Sequence, residues 1–297
     1  VVDSGIAPAT SAWLQQASDP LTSTPTALVP VSSAQRVWDD QCCEVQADKL
    51  LHAVVDQVTR ARLLAARSPY SGDWLEALPL SSIGNKLDNA TVRIAAGLRP
   101  GTPIVRPHVC VCGKAVAVNG HHGLSCRFGS GRHSRHNQVN DVICRAFIKS
   151  GTLATREPQS LCTGSGKRPD GVTQVPWSRG RCLAWDATCP NTFAESHALI
   201  NSNRAGSAAA AAEAAKSLKY ADITAGVDFT PVAIETSGTW GEQAIELVKE
   251  IGRRIALTTH EPRSTVFLRQ RLSVAVQRGN AFCVMGTFRC LDSVLSV

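Results

Sequence analysis

Residues 167–189 read KRPDGVTQVPWSRGRCLAWDATC, and this stretch decides the fold that we expect. The turn-forming residues WSRG at 177–180 separate two short runs that are typical of strands. In the second run, 181–189, alternate residues would point to opposite faces of a sheet. The stretch therefore predicts a β-hairpin that carries two aspartates, Asp170 and Asp186.

Helices are predicted on both sides of this hairpin. Downstream, helical patterns cover 208–220, 241–255 and 264–279, and a strand is expected at 229–238. Upstream, apolar residues recur at helical spacing ahead of a glycine stop, namely Val139, Val142, Ile143, Ala146, Phe147 and Gly151. Helices packed on a mixed sheet give an α/β fold.

The first hundred residues are predicted to be largely helical. Residues 1–45 are rich in Ser, Thr, Pro and Ala without a sustained period, so we expect a leader or the tail of an upstream domain, poorly ordered. Apolar spacing predicts one amphipathic helix over 48–67. A second helix is expected at 87–98, with Asp88 or Asn89 as its cap.

Composition excludes several classes of protein. With 297 residues, 43% hydrophobic and 19% charged, the chain is too apolar to be disordered. It lacks a secretory signal and the run of about 18 apolar residues that a membrane-spanning helix needs. The number of cysteines, eleven, is odd, so we expect reduced thiols with a metal site among them, in the cytosol or the nucleus.

Positive charge is concentrated in residues 127–181. This segment holds ten Lys and Arg against three Asp and Glu, which accounts for the whole formal surplus of +7. A compact basic region favours a polyanionic partner, and nucleic acid is the leading candidate. The alternative is a solvated surface rich in lysine and arginine.

The stretch PHVCVCGKAVAVNGHHGLSC at 107–126 predicts a structural zinc site, because three thiolates and one imidazole complete a tetrahedron. The candidate ligands are Cys110, Cys112, Cys126 and either His121 or His122. We favour His122, since it lies four residues before Cys126 and would share a helical face with it. His133 and His136 are reserve ligands. Small buried thiols without a metal are the alternative.

A second constellation consists of three acids, Glu157, Asp170 and Asp186, with a lysine. If WSRG is the turn, Asp170 lies opposite Ala187 and next to Asp186. Carboxylates that bind Mg²⁺ are what phosphodiester hydrolysis requires, because the metal activates water and neutralises developing charge. Taken alone, Asp170 after Pro169 is more typical of a turn former.

The order of these motifs resembles the C-terminal part of non-LTR retrotransposon proteins that carry a restriction-like endonuclease. In that family a cysteine–histidine knuckle precedes an Arg-His pair, a Glu-Pro, a Lys/Arg-Pro-Asp, an acid on a strand and a Lys-x-x-Lys-Tyr stretch. The corresponding residues here are the knuckle at 110–126, Arg135-His136, Glu157-Pro158, Arg168-Pro169-Asp170, Asp186 and Lys216-Ser217-Leu218-Lys219-Tyr220. The resemblance covers roughly residues 45–290.

The resemblance implies a domain order and an activity. It implies a helical linker at 46–106, a zinc knuckle at 107–136, and at 137–297 a restriction-endonuclease-like PD-(D/E)xK core, a mixed sheet flanked by helices. Such a protein nicks target DNA so that the element's reverse transcriptase can extend the exposed 3′-hydroxyl. The expected partners are double-stranded target DNA, element RNA and the upstream reverse transcriptase of the same polyprotein, with no membrane; translation is cytoplasmic and the site of action nuclear.

The resemblance also implies roles for single residues. Asp170 and Asp186 would hold Mg²⁺, with Glu157 supporting the metal or its water. Thr188 stands where ordinary restriction-type nucleases have a lysine, so Lys216 or Lys219 would stabilise the transition state. Phosphate contacts are expected from Arg132, Arg135, His136, Lys167 and Arg168. The main alternative is a catalytically inactive zinc-knuckle module that binds nucleic acid; a structural protein without a nucleic-acid role is third.

Overall fold

The computed structural model describes residues 34–129, 131–159, 161, 167–223 and 226–288. The chain divides into two compact units, residues 1–48 and 49–297. The predicted knuckle and nuclease segments both lie in the second unit. Most of the expected leader lies outside the described residues, and so do residues 162–166. Across the described ranges, no helix has the length and apolarity needed to cross a membrane.

Two helices, not one, occupy the region where a single amphipathic helix was predicted. Helix α1 covers Ala34–Ala53, starting inside the expected leader, and α2 covers Gln57–Arg67. The break has a local cause, because the Asp56 side chain accepts a hydrogen bond from the Thr59 amide at 2.7 Å. This contact caps α2 and separates it from α1.

Helix α3 confirms the second prediction in this region. It covers Asn89–Leu98, and Asp88 is its cap, accepting a hydrogen bond from the Thr91 amide at 2.9 Å. Its buried face, which includes Ile94, packs against the helix Ser264–Met285.

The cysteine-rich stretch forms a small hairpin followed by a helical turn. Strand β1, His108–Val109, pairs antiparallel with β2, Ala115–Val116. A short 3₁₀ helix, His121–Ser125, comes next. Hairpin and helical turn bring the two ends of this stretch together.

A four-stranded mixed sheet forms the centre of the second unit. Its strands are β3 Ala154–Arg156, β4 Gly171–Thr173, β5 Cys182–Thr188 and β6 Val227–Ala233. They lie in the order β3-β4-β5-β6, with antiparallel pairs up to β5 and a parallel pair between β5 and β6. The predicted α/β class with a mixed sheet is therefore confirmed.

Five helices surround this sheet in the described chain. They are α4 Gly131–Lys149, α5 Glu195–Asn201, α6 Ser207–Lys219, α7 Glu242–Thr259 and α8 Ser264–Met285. Leu183, Trp185 and Ala187 of β5 belong to one core with α4, α7 and α8. Since side chains alternate along a strand, the Asp186 side chain points the other way, and it meets α6.

Helix α8 connects the sheet to the cysteine-rich region. Its Leu272 and Val276 pack in the core beneath the sheet, whereas Ala281 and Val284 pack in a second core with Cys110 and other residues of the knuckle. The knuckle is thus anchored to the scaffold that carries the sheet.

The turn of the predicted hairpin is present, but the ladder beneath it is interrupted. Ser178 bridges Arg181, and Arg179 and Gly180 between them have positive φ angles of 48° and 74°. Pro176 has no amide hydrogen, so it cannot pair in the ladder. The regular pairing of β4 with β5 starts further from the turn.

Candidate functional site

Four side chains of the cysteine-rich region form a compact cluster, Cys110, Cys112, His122 and Cys126. Their ligand atoms all lie within 4.8 Å of one another. The Cys110 and Cys126 sulfurs are 3.7 Å apart, and the Cys112 sulfur is 3.2 Å from His122 Nε2. A tetrahedral zinc with Zn–S bonds of about 2.3 Å requires sulfurs about 3.8 Å apart. The donor set and its spacing fit a zinc ion.

The backbone of the hairpin positions two of the thiols. The Cys110 amide donates to the Lys114 carbonyl at 2.8 Å, and the Gly113 amide donates to the Cys110 carbonyl at 2.8 Å. Gly113 has a φ of 86°, a conformation that favours glycine. This tight turn allows thiols separated by the single residue Val111 to meet at one point.

The thiols and the imidazole sit in an environment suited to a cation. Burial raises the pKa of the Cys110 thiol to about 11, with the adjacent Cys126 thiol adding to the shift. A hydrogen bond from the Lys114 amide lowers the pKa of Cys112. Burial lowers the pKa of His122, which keeps the ring neutral, the form that binds a metal. A divalent cation would supply the positive charge that buried thiolates need.

The structure places His122, and not His121, in the cluster. His121 is stacked on Phe193, with ring centroids 4.3 Å apart and an interplanar angle of 13°. Burial lowers the pKa of His121 to about 4. Neither reserve ligand, His133 or His136, belongs to the cluster.

A second polar cluster surrounds Asp170, just before β4. Asp170 Oδ2 accepts hydrogen bonds from His136 Nε2 at 2.9 Å, Asn140 Nδ2 at 3.0 Å and the Ala187 amide at 2.7 Å. Burial alone would raise the pKa of Asp170, but the hydrogen bond and charge of His136 outweigh it and lower the pKa. The same hydrogen bond raises the pKa of His136, and Asp186 adds to that effect.

The register between β4 and β5 differs from the predicted one by one residue. Gly171 pairs with Trp185, so Asp170 lies level with Asp186 and not opposite Ala187. The predicted neighbourhood of the two aspartates is nonetheless present, since Asp170 reaches the amide that follows Asp186 in β5.

Asp186 is almost fully buried and is held from helix α6. Its carboxylate forms an ion pair with Lys216 and accepts a hydrogen bond from the Tyr220 hydroxyl at 2.7 Å. Lys219 is more distant, with Nζ 3.9 Å from the carboxylate and 3.0 Å from the Tyr220 hydroxyl. Of the two candidate lysines, Lys216 makes the direct contact.

The Glu157 side chain is not among the partners of the Asp170 and Asp186 carboxylates. Glu157 has a positive φ of 50°, and its side chain is about half exposed in an ion pair with Arg168. Only its backbone meets the site, through the amide that donates to the Asp170 carbonyl at 2.8 Å. Over the described chain, the one group of three or more Cys, His, Asp or Glu side chains arranged for a metal is the cysteine–histidine cluster. The expected magnesium site is not among such groups.

One expected phosphate contact is wrong. Arg135 is buried, and its guanidinium donates to Asn280 Oδ1 at 2.9 Å and to the carbonyls of Leu124 and Cys189 at 3.2 and 3.4 Å. The Arg135 side chain therefore has its partners inside the protein, where it links the 3₁₀ helix His121–Ser125, the end of β5 and α8.

The other candidate phosphate contacts differ in availability. Arg132 is exposed. Lys167 contacts Asp222 at 3.5 Å, Arg168 pairs with Glu157, and His136 is engaged by Asp170. These three side chains would have to exchange a protein partner for a phosphate.

Asn140 is a site residue that sequence reasoning missed. Its amide nitrogen donates to Asp170, and its carbonyl oxygen accepts from the Trp185 indole at 3.0 Å. The available sequence pattern was a polar residue one turn after His136 on the buried side of a helix, a position where a side chain needs a hydrogen-bonding partner.

No protein-family model matches the chain, and no curated protein matches it in sequence. Its function has to be inferred from the two side-chain clusters themselves.

Proposed function

We propose that this protein is a metal-dependent DNA endonuclease, and that it nicks target DNA for target-primed reverse transcription of a non-LTR retrotransposon. The observation that carries the proposal is the meeting of two buried or half-buried aspartates, Asp170 and Asp186, with the amine of Lys216 at β5. Their order along the chain and the mixed sheet flanked by helices agree with the family resemblance.

A buried carboxylate paired with lysine is a costly arrangement for a fold. Removing such charges from water costs several kcal/mol per ion, about as much as their attraction returns, so a stable core does not require them. Buried titratable groups with specific partners are typical of functional sites. Asp186 meets this description, since Lys216 and Tyr220 both contact its carboxylate.

The side chains have distinct roles in the proposed reaction. Asp170 and Asp186 would hold Mg²⁺. When bound, this ion would polarise the phosphate and activate a water. Lys216, released from its carboxylate, would lie beside the phosphate and neutralise charge that develops in the transition state. Tyr220 fixes the orientation of Asp186, and Asn140 that of Asp170.

The zinc cluster has a structural role in the proposal. Its four ligands leave no open coordination position for a substrate, and such closed sites contribute folding free energy. The exposed Arg132 and the exchangeable Lys167 and Arg168 would contact phosphates of double-stranded target DNA. The proposal also includes element RNA, the upstream reverse transcriptase of the same polyprotein and action in the nucleus.

Nicking of supercoiled plasmid tests the proposal. The wild-type chain should relax the plasmid in Mg²⁺ but not in a chelator, and Asp186→Asn or Lys216→Ala should lower the rate by at least about a hundredfold. Glu246→Gln and Lys249→Ala are matched controls, because both side chains are exposed on α7. Nicking by Asp186→Asn at the wild-type rate would contradict the assignment.

A second candidate function is a nucleic-acid-binding module without catalysis. One observation favours it: both aspartates already have protein donors, and within the described residues they belong to no group of three metal ligands. The same assay separates the two candidates. Salt-sensitive DNA binding without nicking, in Mg²⁺ or Mn²⁺, would support the binding module.

A further inference from the structure

The zinc cluster lies in a long segment without acidic residues. Residues 89–140 contain seven Lys and Arg and no Asp or Glu. This segment begins before the basic segment at 127–181 and includes all four ligands of the cluster. Its surface therefore has no carboxylates of its own to neutralise its positive charge.

Four of the basic side chains in this segment are exposed. They are Arg106, Lys114, Arg127 and Arg132. None of the four makes an ion pair or a side-chain hydrogen bond with another described residue. Lys114 follows Cys112 in the hairpin, and Arg127 follows Cys126, so the compact ligand cluster brings these two cations into one region. The surface is complementary to a chain of phosphates.

An exposed aromatic ring lies in the same region. Phe128 is 77% exposed, more than any other aromatic residue in the described chain. It lies in a turn immediately after a zinc ligand, and the Gly129 amide donates to the Cys126 carbonyl at 3.3 Å. The turn that displays the ring is thus attached to the metal cluster.

We infer that the knuckle binds single-stranded nucleic acid, with a base stacked on Phe128 and neighbouring phosphates on the four exposed cations. Aromatic rings stack on bases whose faces are free, whereas the bases of a duplex already cover one another. This inference deepens the proposed function, from which it takes only the choice of nucleic acid as partner. It adds that the knuckle binds a single strand, whereas the proposed substrate for nicking is duplex DNA.

Fluorescence anisotropy of the full chain with labelled oligonucleotides of about 12 nucleotides tests the inference. The probes are oligothymidylate, oligouridylate and a DNA duplex of similar length, so that DNA and RNA are compared directly. Phe128→Ala should weaken binding of a single-stranded probe by about 5- to 100-fold, and binding of the duplex by much less. Phe128→Trp should restore the affinity, since a larger ring also stacks.

Two further variants separate stacking from charge. Leu257→Ala removes a 65% exposed apolar side chain from α7, far from the acid-free segment in sequence, and should leave affinity unchanged. Arg132→Ala should lower the slope of log affinity against log salt by about 0.7 for a single strand, whereas Phe128→Ala should leave that slope unchanged.

The outcomes are distinguishable from those of the nicking assay. If Asp186→Asn abolishes nicking but binds oligothymidylate normally, while Phe128→Ala loses affinity, both statements are supported. If the wild-type chain does not nick and Phe128→Ala still loses affinity for the single strand, the inference holds and the endonuclease proposal fails. Binding by Phe128→Ala within about twofold of wild type, for both DNA and RNA, would overturn the inference.

Discussion

Replacing Arg135 with alanine should destabilise the protein and should not act primarily on DNA binding. The guanidinium of Arg135 is buried, and its three oxygen acceptors come from three different parts of the fold, with the Cys283 sulfur 3.6 Å away as a further partner. One is the Leu124 carbonyl in the 3₁₀ helix His121–Ser125, another is the Cys189 carbonyl after β5, and the last is the Asn280 side chain in α8. Arg135→Ala would remove the connection among all three.

The size of the effect follows from these contacts. Each of the three oxygen acceptors left unpaired in the interior costs about 1–3 kcal/mol, or about 3–9 kcal/mol together. Against this, the variant no longer buries a positive charge, which offsets several kcal/mol. We expect a net loss of about 3 kcal/mol, which for a unit of this size lowers Tm by about 6–12 °C.

Thermal and urea unfolding of Arg135→Ala, monitored by circular dichroism, would measure this loss. Arg132→Ala is the matched control, because that side chain starts from the same helix but is exposed. Its free energy of unfolding should change by less than about 0.5 kcal/mol. A variant at Arg135 with wild-type stability and weakened DNA binding would refute the structural role and restore the phosphate contact expected from the sequence.

Three other predictions concern separate parts of the fold. Purified protein should contain one zinc per chain by elemental analysis; unchanged zinc after replacement of both Cys110 and Cys126 would exclude this cluster as the site. Gly171→Ala should cost about 1–3 kcal/mol in urea unfolding, because the new Cβ would lie 2.1 Å from the Trp185 ring; wild-type stability would show that the sheet can adjust. The pKa of Glu250 is lowered to about 2, chiefly by hydrogen bonds and charge from its two arginine neighbours, so its contribution is present above pH 4.5 and lost as pH falls through 2. Glu250→Gln should therefore lower stability slightly at pH 7, by about 0.5 kcal/mol given its exposure, and progressively less below pH 4.5; a difference that persists to pH 2 would contradict this.

Features that depend on local sequence were predictable. Asp88 or Asn89 was expected as a helix cap because either side chain can reach the first free amides, and Asp88 does so. The strand at 182–188 was expected from its alternation, and its two faces do meet different helices. The choice of His122 as ligand needed only its spacing from Cys126, since a helical turn places the two residues side by side.

Features that depend on long-range packing were not predictable from the sequence. The charge of Arg135 suggested a surface contact, because nothing nearby in sequence shows that its acceptors come from Asn280 and the end of β5. Similarly, helix α4 begins at Gly131, earlier than its apolar period indicates, and a Cβ at that glycine would lie 2.4 Å from the Cys283 amide nitrogen. The close approach of α8 leaves no space for a side chain at Gly131. This could not be read from the sequence, because α8 lies far from Gly131 along the chain.

The register of the β4–β5 pair was also not predictable from the sequence. The turn could be located from its residues, but the number of unpaired residues between turn and ladder depends on how Pro176 and its neighbours pack. A change of one residue decides whether Asp170 is level with Asp186, and therefore which groups the carboxylate meets.

The nicking rate of Asp170→Asn shows whether the Asp170 carboxylate binds a catalytic metal. Asparagine keeps the shape of the side chain and one oxygen to accept from the Ala187 amide, but it removes the charge that a metal would bind. We expect the Asp170→Asn variant to fold, to bind duplex DNA like the wild type, and to nick it at least about a hundredfold more slowly in Mg²⁺. A folded Asp170→Asn protein that nicks at the wild-type rate would show that Asp170 serves only the turn after Pro169, and the endonuclease assignment would fail.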